Sequence, residues 1–238
     1  SFSNREIENR LIKIGASFIQ LSKNKLIQSV VQALLKQKVV GWFQGRMEYG
    51  PRALGNRSII ADPRSNQMQK KINLKIKFRE SFRPFAPIIL EEKTSEWFDL
   101  NLKSKHMSLV ANVKKEKLRK INKLDASKKG LKKLQINKSI IPAVTHVDNT
   151  ARIQTVSKKD NPLMHNLINE FYKKTKCPLL VNTSFNVRGE PIVNDINDAF
   201  FCFMETNMDL LVIGNFMLIK ERQDKKLKKN YFENIIKD

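Results

Sequence analysis

A mixed fold, α/β or α+β in class, is what this sequence predicts, on three observations. Short apolar runs of strand size alternate with segments whose apolar residues return every three or four positions. Neither kind dominates, which favours a mixed class over an all-β or an all-helical one. Hydrophobic residues make up 41% of the 238 positions, enough for a core, yet no uncharged apolar run approaches the roughly 18 residues of a membrane-crossing helix.

Taken in order, Ser3 and Glu6 stand three apart ahead of Ile7, Leu11, Ile12 and Ile14, the pattern of a capping box opening a helix. Gly15 separates it from a second helix, where Leu26, Ile27, Val30, Val31, Leu34 and Leu35 share one side. Residues 39–43 read as a buried strand and lead into a loop rich in Gly and Pro at 44–58. Ile59 and Ile60 make a short strand that Asp62-Pro63 ends. A helix is expected over 66–77 with Met68, Ile72 and Ile76 inward. The stretch 78–87 is irregular, because Pro84 and Pro87 lack a backbone donor and restrict their predecessors. Strands are expected at 88–90 and 109–113, and as a pair at 141–146 and 151–156 joined through Asp148-Asn149. Pro162 opens a helix with Leu163, Leu167 and Phe171 on its apolar face, widened by Met164, Ile168 and Tyr172. A strand at 178–181, a loop at 182–191, a helix over 194–204 and a final strand through 210–219 complete the chain.

Lys and Arg number 45 against 23 Asp and Glu, a net charge of +22. Residues 114–138 hold eleven basic and two acidic side chains, and 220–238 adds a second lysine-rich run. With little aromatic interleaving, these runs read as a solvated connector and tail, or else as an electrostatic surface for nucleic acid or another acidic partner. Cys177 and Cys202 are the only cysteines, which argues against a zinc module and for a reducing, cytoplasmic setting. The chain opens on Ser1 directly ahead of helix-forming residues, and is expected to be a fragment, a processed chain or half of a split protein.

Several groups of residues suit an anionic ligand. Arg46, Arg52 and Arg57 recur among Gly45, Gly50 and Gly55 straight after a buried strand. Arginine presents a planar donor fork to phosphate or carboxylate, and glycine lets backbone approach closely; alternatively the segment is a tight turn with exposed arginines. Lys77, Arg79 and Arg83, turned inward, would neutralise a polyanion, with Phe78, Phe82 and Phe85 either stacking on a base or anchoring an irregular loop. His146 suits proton transfer or phosphate contact, or a structural role. Arg152 suits an oxyanion, and Asn182, Thr183, Ser184 and Asn186 either encircle a ligand or satisfy a turn. The Walker loop, the dinucleotide fingerprint and the metalloprotease histidine pair are absent from the sequence, and Ser184 lacks a nucleophile-elbow context.

Four stretches together resemble one family: residues 41–59, containing Gly50-Pro51-Arg52; Lys77-Phe78-Arg79-Glu80 followed by Phe82-Arg83-Pro84-Phe85-Ala86-Pro87; residues 144–156; and residues 180–191, containing Asn182-Thr183-Ser184. In this order they resemble the C-terminal domain of the nodulation-type and antibiotic-biosynthesis O-carbamoyltransferases. The resemblance implies a YrdC-like mixed twisted sheet with flanking helices over 1–219, a basic insert near 114–138 and a lysine-rich tail at 220–238. It implies use of carbamoyl phosphate and of ATP with Mg2+ to make carbamoyladenylate. Its carbamoyl group would pass to a hydroxyl of a sugar or secondary metabolite on an N-terminal ASKHA-type domain or a separately encoded partner. That domain would carry Fe2+ or a similar metal; no metal is expected in this chain, and no membrane partner. Carried over by position, Lys77, Arg152 and Ser184 are the expected catalytic residues. Arg46, Arg52, Lys77, Arg79, Arg83, His146, Arg152, Asn182, Ser184 and Asn186 are the expected binding residues. The competing reading is a basic RNA-binding or partner-binding module on the same scaffold.

Overall fold

The apolar runs become nine strands of one mixed sheet with helices against it, in a computed structural model that describes residues 1–120, 127–130 and 136–228. Helix α1 (Asn4–Ile14) opens on the expected capping box: Ser3 Oγ accepts from the Glu6 amide, and the Glu6 carboxylate accepts from the Ser3 amide. Strand β1 (Ile19–Gln20) and helix α2 (Lys23–Leu35) lead to β2 (Val40–Phe43) and β3 (Arg57–Ala61). Helix α3 (Met68–Lys75), β4 (Ala86–Leu90), the short helix α4 (Thr94–Trp97) and β5 (Leu109–Asn112) follow. Strand β6 (Thr150–Val156), helix α5 (Pro162–Thr175), β7 (Leu179–Ser184), helix α6 (Ile196–Glu205), β8 (Leu210–Ile213) and β9 (Phe216–Ile219) complete the order.

Across the sheet the strands run β1-β9-β8-β2-β3-β7-β4-β6-β5. The β2–β8 and β4–β6 pairs are parallel, and every other neighbouring pair is antiparallel. Every residue of β2, β3, β4 and β8 is buried, as a sheet covered on both faces requires. Helix α2 packs on α5 and α1 on α6, the latter pair tied by Arg10 to Asp195 at 3.1 Å. Close approach is strict at Gly41 of β2, where a Cβ would lie 2.8 Å from the Phe185 ring. Among the described residues no helix is long and apolar enough to cross a membrane.

The structure departs from the sequence expectations in several places. Residues 141–146 do not form a strand: Pro142–Val144 is a single 3-10 turn, since Pro142 lacks a donor and Ser139 and Thr145 bond to the local backbone instead. The turn at Asp148-Asn149 exists, closed by His146 N donating to Thr150 O at 2.8 Å, but β6 pairs with β5 and β4. The expected final strand is a hairpin, because Gly214 takes φ +54 and sends β9 back along β8; Gly-Asn at 214–215 is the signal for it. Helix α3 ends before Lys77, and Phe78 takes φ +48. Of the basic segment, 121–126 and 131–135 lie outside the described residues, as does 229–238 of the tail. The nearer part of that tail docks: the Gln223 amide donates to Ser17 O at 2.7 Å and its oxygen accepts from Ser17 N at 3.1 Å.

Candidate functional site

Strands β4 and β6 run parallel and β7 runs against them, so the starts of the first two meet the end of the third. A cavity of 140 Å³ opens there, lined by Arg52, Arg79, Arg152, Asn182, Thr183 and Ser184 among others. Five of the expected site residues therefore come together from four distant parts of the chain. No carboxylate is among the lining residues.

Asn182 is fixed deep in β7 at 1% exposure. Its Nδ2 donates to Ala53 O at 3.0 Å and to Gln154 Oε1 at 2.6 Å, while its Oδ1 is buried without a partner. Gln154, a residue that sequence reasoning passed over, donates to Leu54 O at 2.7 Å. The pair thereby ties the arginine-bearing loop to β6 and β7. A buried amide in the run Ile153-Gln154-Thr155-Val156 was the available signal, since a polar group placed inward must find partners.

The arginines crowd one another. Burial and the neighbouring Arg52 charge both lower the pKa of Arg152, whose Nε is buried with no acceptor. Arg79 is lowered by burial and then by Arg83; its Nε donates to Asn73 Oδ1 at 2.7 Å, and its guanidinium lies 5.0 Å from the Phe85 ring centre. Arg52 and Arg152 have no ion-pair partner among the described residues. Cations held close without counter-charge are relieved by an incoming oxyanion, and guanidinium forks suit phosphate oxygens.

Lys77 lies behind this wall. At 3% exposure, its ammonium donates to Ser184 O at 2.5 Å, Ser184 Oγ at 3.2 Å, Asn186 O at 2.9 Å and Asn186 Oδ1 at 2.8 Å. It is absent from the cavity lining and touches the site through Ser184. Asn186 is spent within the same knot, its Nδ2 donating to Glu190 O at 2.6 Å.

Three other expected residues stand apart. Arg46 is exposed, and its carbonyl accepts from Asn56 Nδ2 at 2.9 Å. Arg83 is exposed 3.8 Å from the Glu80 carboxylate. His146 lines a neighbouring cavity of 420 Å³ that shares Pro84 with the first; burial lowers its pKa, and its Nδ1 sits 2.9 Å from Thr150 Oγ1. Lys138 borders that second cavity and not the arginine cavity. Among the described residues no three His, Cys, Asp or Glu side chains gather to hold a metal ion.

Comparison with known proteins adds a lineage to this geometry. Residues 31–220 match the family model described as carbamoyltransferase C-terminus. The chain is 51% identical over 224 residues to an uncharacterized protein of Synechocystis, covering 93% of this chain and 36% of that one. It is 46% identical over 182 residues to the nodulation protein NolO of Bradyrhizobium diazoefficiens, covering 76% and 30%. It is 34% identical over 181 residues to the 3'-hydroxymethylcephem-O-carbamoyltransferase of Streptomyces clavuligerus, again covering 76% and 30%. The chain spans about a third of the length of these curated relatives.

Proposed function

This chain belongs to the carbamoyltransferase C-terminus family, and from that premise we propose that it activates a carbamoyl group in the arginine cavity. Carbamoyl phosphate is the ligand that fits the lining. Its phosphate oxygens suit Arg52, Arg79 and Arg152, and its amide protons suit Asn182 Oδ1, the buried side-chain oxygen of the lining that has no donor. That pairing of unopposed cations with an orphan buried acceptor is the observation that carries the reading. An inorganic phosphate would leave the amide oxygen unpaired, at a cost of roughly 1–3 kcal/mol for a buried polar group.

Two displacement steps make up the reaction. Water releases inorganic phosphate from carbamoyl phosphate, leaving carbamate; a carbamate oxygen then attacks the α-phosphorus of ATP, and pyrophosphate departs. ATP arrives as its magnesium complex, in which the metal draws charge from the triphosphate. The arginines offset charge on the leaving phosphate, and Ser184 and Asn182 hold the carbamoyl group in line. Transfer from carbamoyladenylate to a hydroxyl of a sugar or secondary metabolite is assigned to the part of the longer relatives that this chain does not match.

Incubation with carbamoyl phosphate and magnesium ATP tests the assignment. Pyrophosphate and a carbamoyladenylate mass are expected, both lost in Arg152→Ala, with a hydroxyl acceptor left unmodified. Calorimetry showing no carbamoyl phosphate binding to the folded chain would remove the reading, and efficient acceptor carbamoylation by this chain alone would overturn the division of labour.

A further inference from the structure

Of Arg46 and Arg52 in the loop after β2 and Arg57 at the start of β3, only Arg52 reaches the cavity. The exposed stretch 49–52 that carries it includes Gly50 at φ +101 and has its first buried neighbour at Ala53. Something outside that stretch must fix it.

The loop is closed by two opposite charges that grip opposite ends of it. Glu48, on the way in, turns its carboxylate onto amides on the way out: Oε1 accepts from Leu54 N and Asn56 N at 2.7 Å each and from Arg57 N at 3.2 Å, and Oε2 also accepts from Arg57 N at 3.2 Å. Arg57, at the exit, reaches back and donates to Gln44 O at 2.7 Å and Gly45 O at 3.3 Å. Its guanidinium lies 3.5 Å from the Phe43 ring centre. Three amides converging on one point outnumber the two lone pairs of a hydroxyl, whereas a carboxylate offers about four acceptor sites. Engaged in this way, Glu48 is no ion-pair partner for Arg52, and it does not line the cavity.

We infer that Glu48, clamped with Arg57, is a positioning residue that sets where Arg52 meets an anion. The inference rests on the reading of the cavity as an anion site. Arg57 serves the clamp, so its sequence likeness to Arg52 hides a different task.

Calorimetry with inorganic phosphate on the 238-residue chain, run as a double-mutant cycle, tests it. Arg52→Ala should weaken phosphate binding; if it does not, or if the unmutated chain binds no phosphate, the anion reading fails. Glu48→Ala should weaken binding about tenfold, with Glu48→Gln, which keeps Oε1 as an acceptor, in between. In an Arg52→Ala background neither change should weaken binding further. Wild-type affinity in Glu48→Ala overturns the inference and leaves the anion reading standing. Equal losses with and without Arg52 overturn it too, since Glu48 would then act on the fold at large. Should Glu48→Ala fail to fold by circular dichroism, the cycle is read with Glu48→Gln, where an undiminished affinity counts against the inference.

Discussion

Lys77 turns inward as its sequence reading expects, but it stands behind the cavity lining and reaches the site through Ser184. Its company of cations near 77–83 suggests a ligand contact, yet four oxygens surround its ammonium behind the cavity wall. Burial pulls it down from the ordinary lysine range to about 7, with Cys202, Arg79 and Glu190 as the other charged or titratable groups acting on it. The unfolded chain keeps this proton to about pH 10.4, so above pH 7 the unfolded state binds more protons and folding stability rises with pH. Below pH 7 both states hold the proton and the slope vanishes. Relative to Lys77→Met, the native chain should therefore gain on the order of 1 kcal/mol of stability between pH 7 and 8.5. Urea midpoints at the two pH values check this, and parallel curves for the two proteins would contradict it. Arg52, Arg152 and Ser184 could be named as candidates from sequence because their residue types match an anion in any local setting, and the structure brings them to one cavity. Glu48 and Gln154 could not, since their partners are backbone groups that sequence does not place.

At the scale of elements, helices were the more legible because their periodicity is local. Helix α6 repeats the logic of α1, with Asp195 accepting from Asp198 N at 2.9 Å and Asp198 returning the bond. Asp195→Ala removes that cap and the bridge to Arg10, and should cost about 1 kcal/mol in denaturant unfolding. Strand errors fall where turn chemistry interrupts an apolar run, at Pro142 and at Gly214. Strand extension was likewise hidden: polar Asn182 and Ser184 look like loop, but the ladder places Asn182 opposite Ile60 and Ser184 opposite Ser58. Gly41→Ala should destabilise by about 1–3 kcal/mol, because the Phe185 ring must move before a methyl group fits. An unchanged midpoint would mean that this ring is not packed as described.

For the whole molecule, the site is a product of topology. Its residues come from 52, 79, 152 and 182–184, and no spacing rule joins positions so far apart; the family motifs name them without saying that they meet. A ligand that binds the native state alone stabilises it by about 2.7 kcal/mol at a hundredfold excess over its dissociation constant. Saturating carbamoyl phosphate should accordingly raise the melting temperature by several degrees, and this rise should vanish in Arg152→Ala. An equal rise in both proteins would place the ligand elsewhere on this strongly basic chain.

Strand β7 sits between β3 and β4 in the sheet and pairs with both, although it is made more than a hundred residues after β3. On the ribosome, a chain that has not yet delivered residue 184 therefore holds two sheet fragments with open edges, linked by helix packing and by the Gln154 bond to Leu54 O but by no strand ladder. Every premature stop before that point yields a product without the anion cavity, however much of the arginine-rich sequence it contains. Two polypeptides divided between β6 and β7 should each be silent and should regain phosphate binding only on mixing, which makes strand β7 a natural seam for a complementation assay.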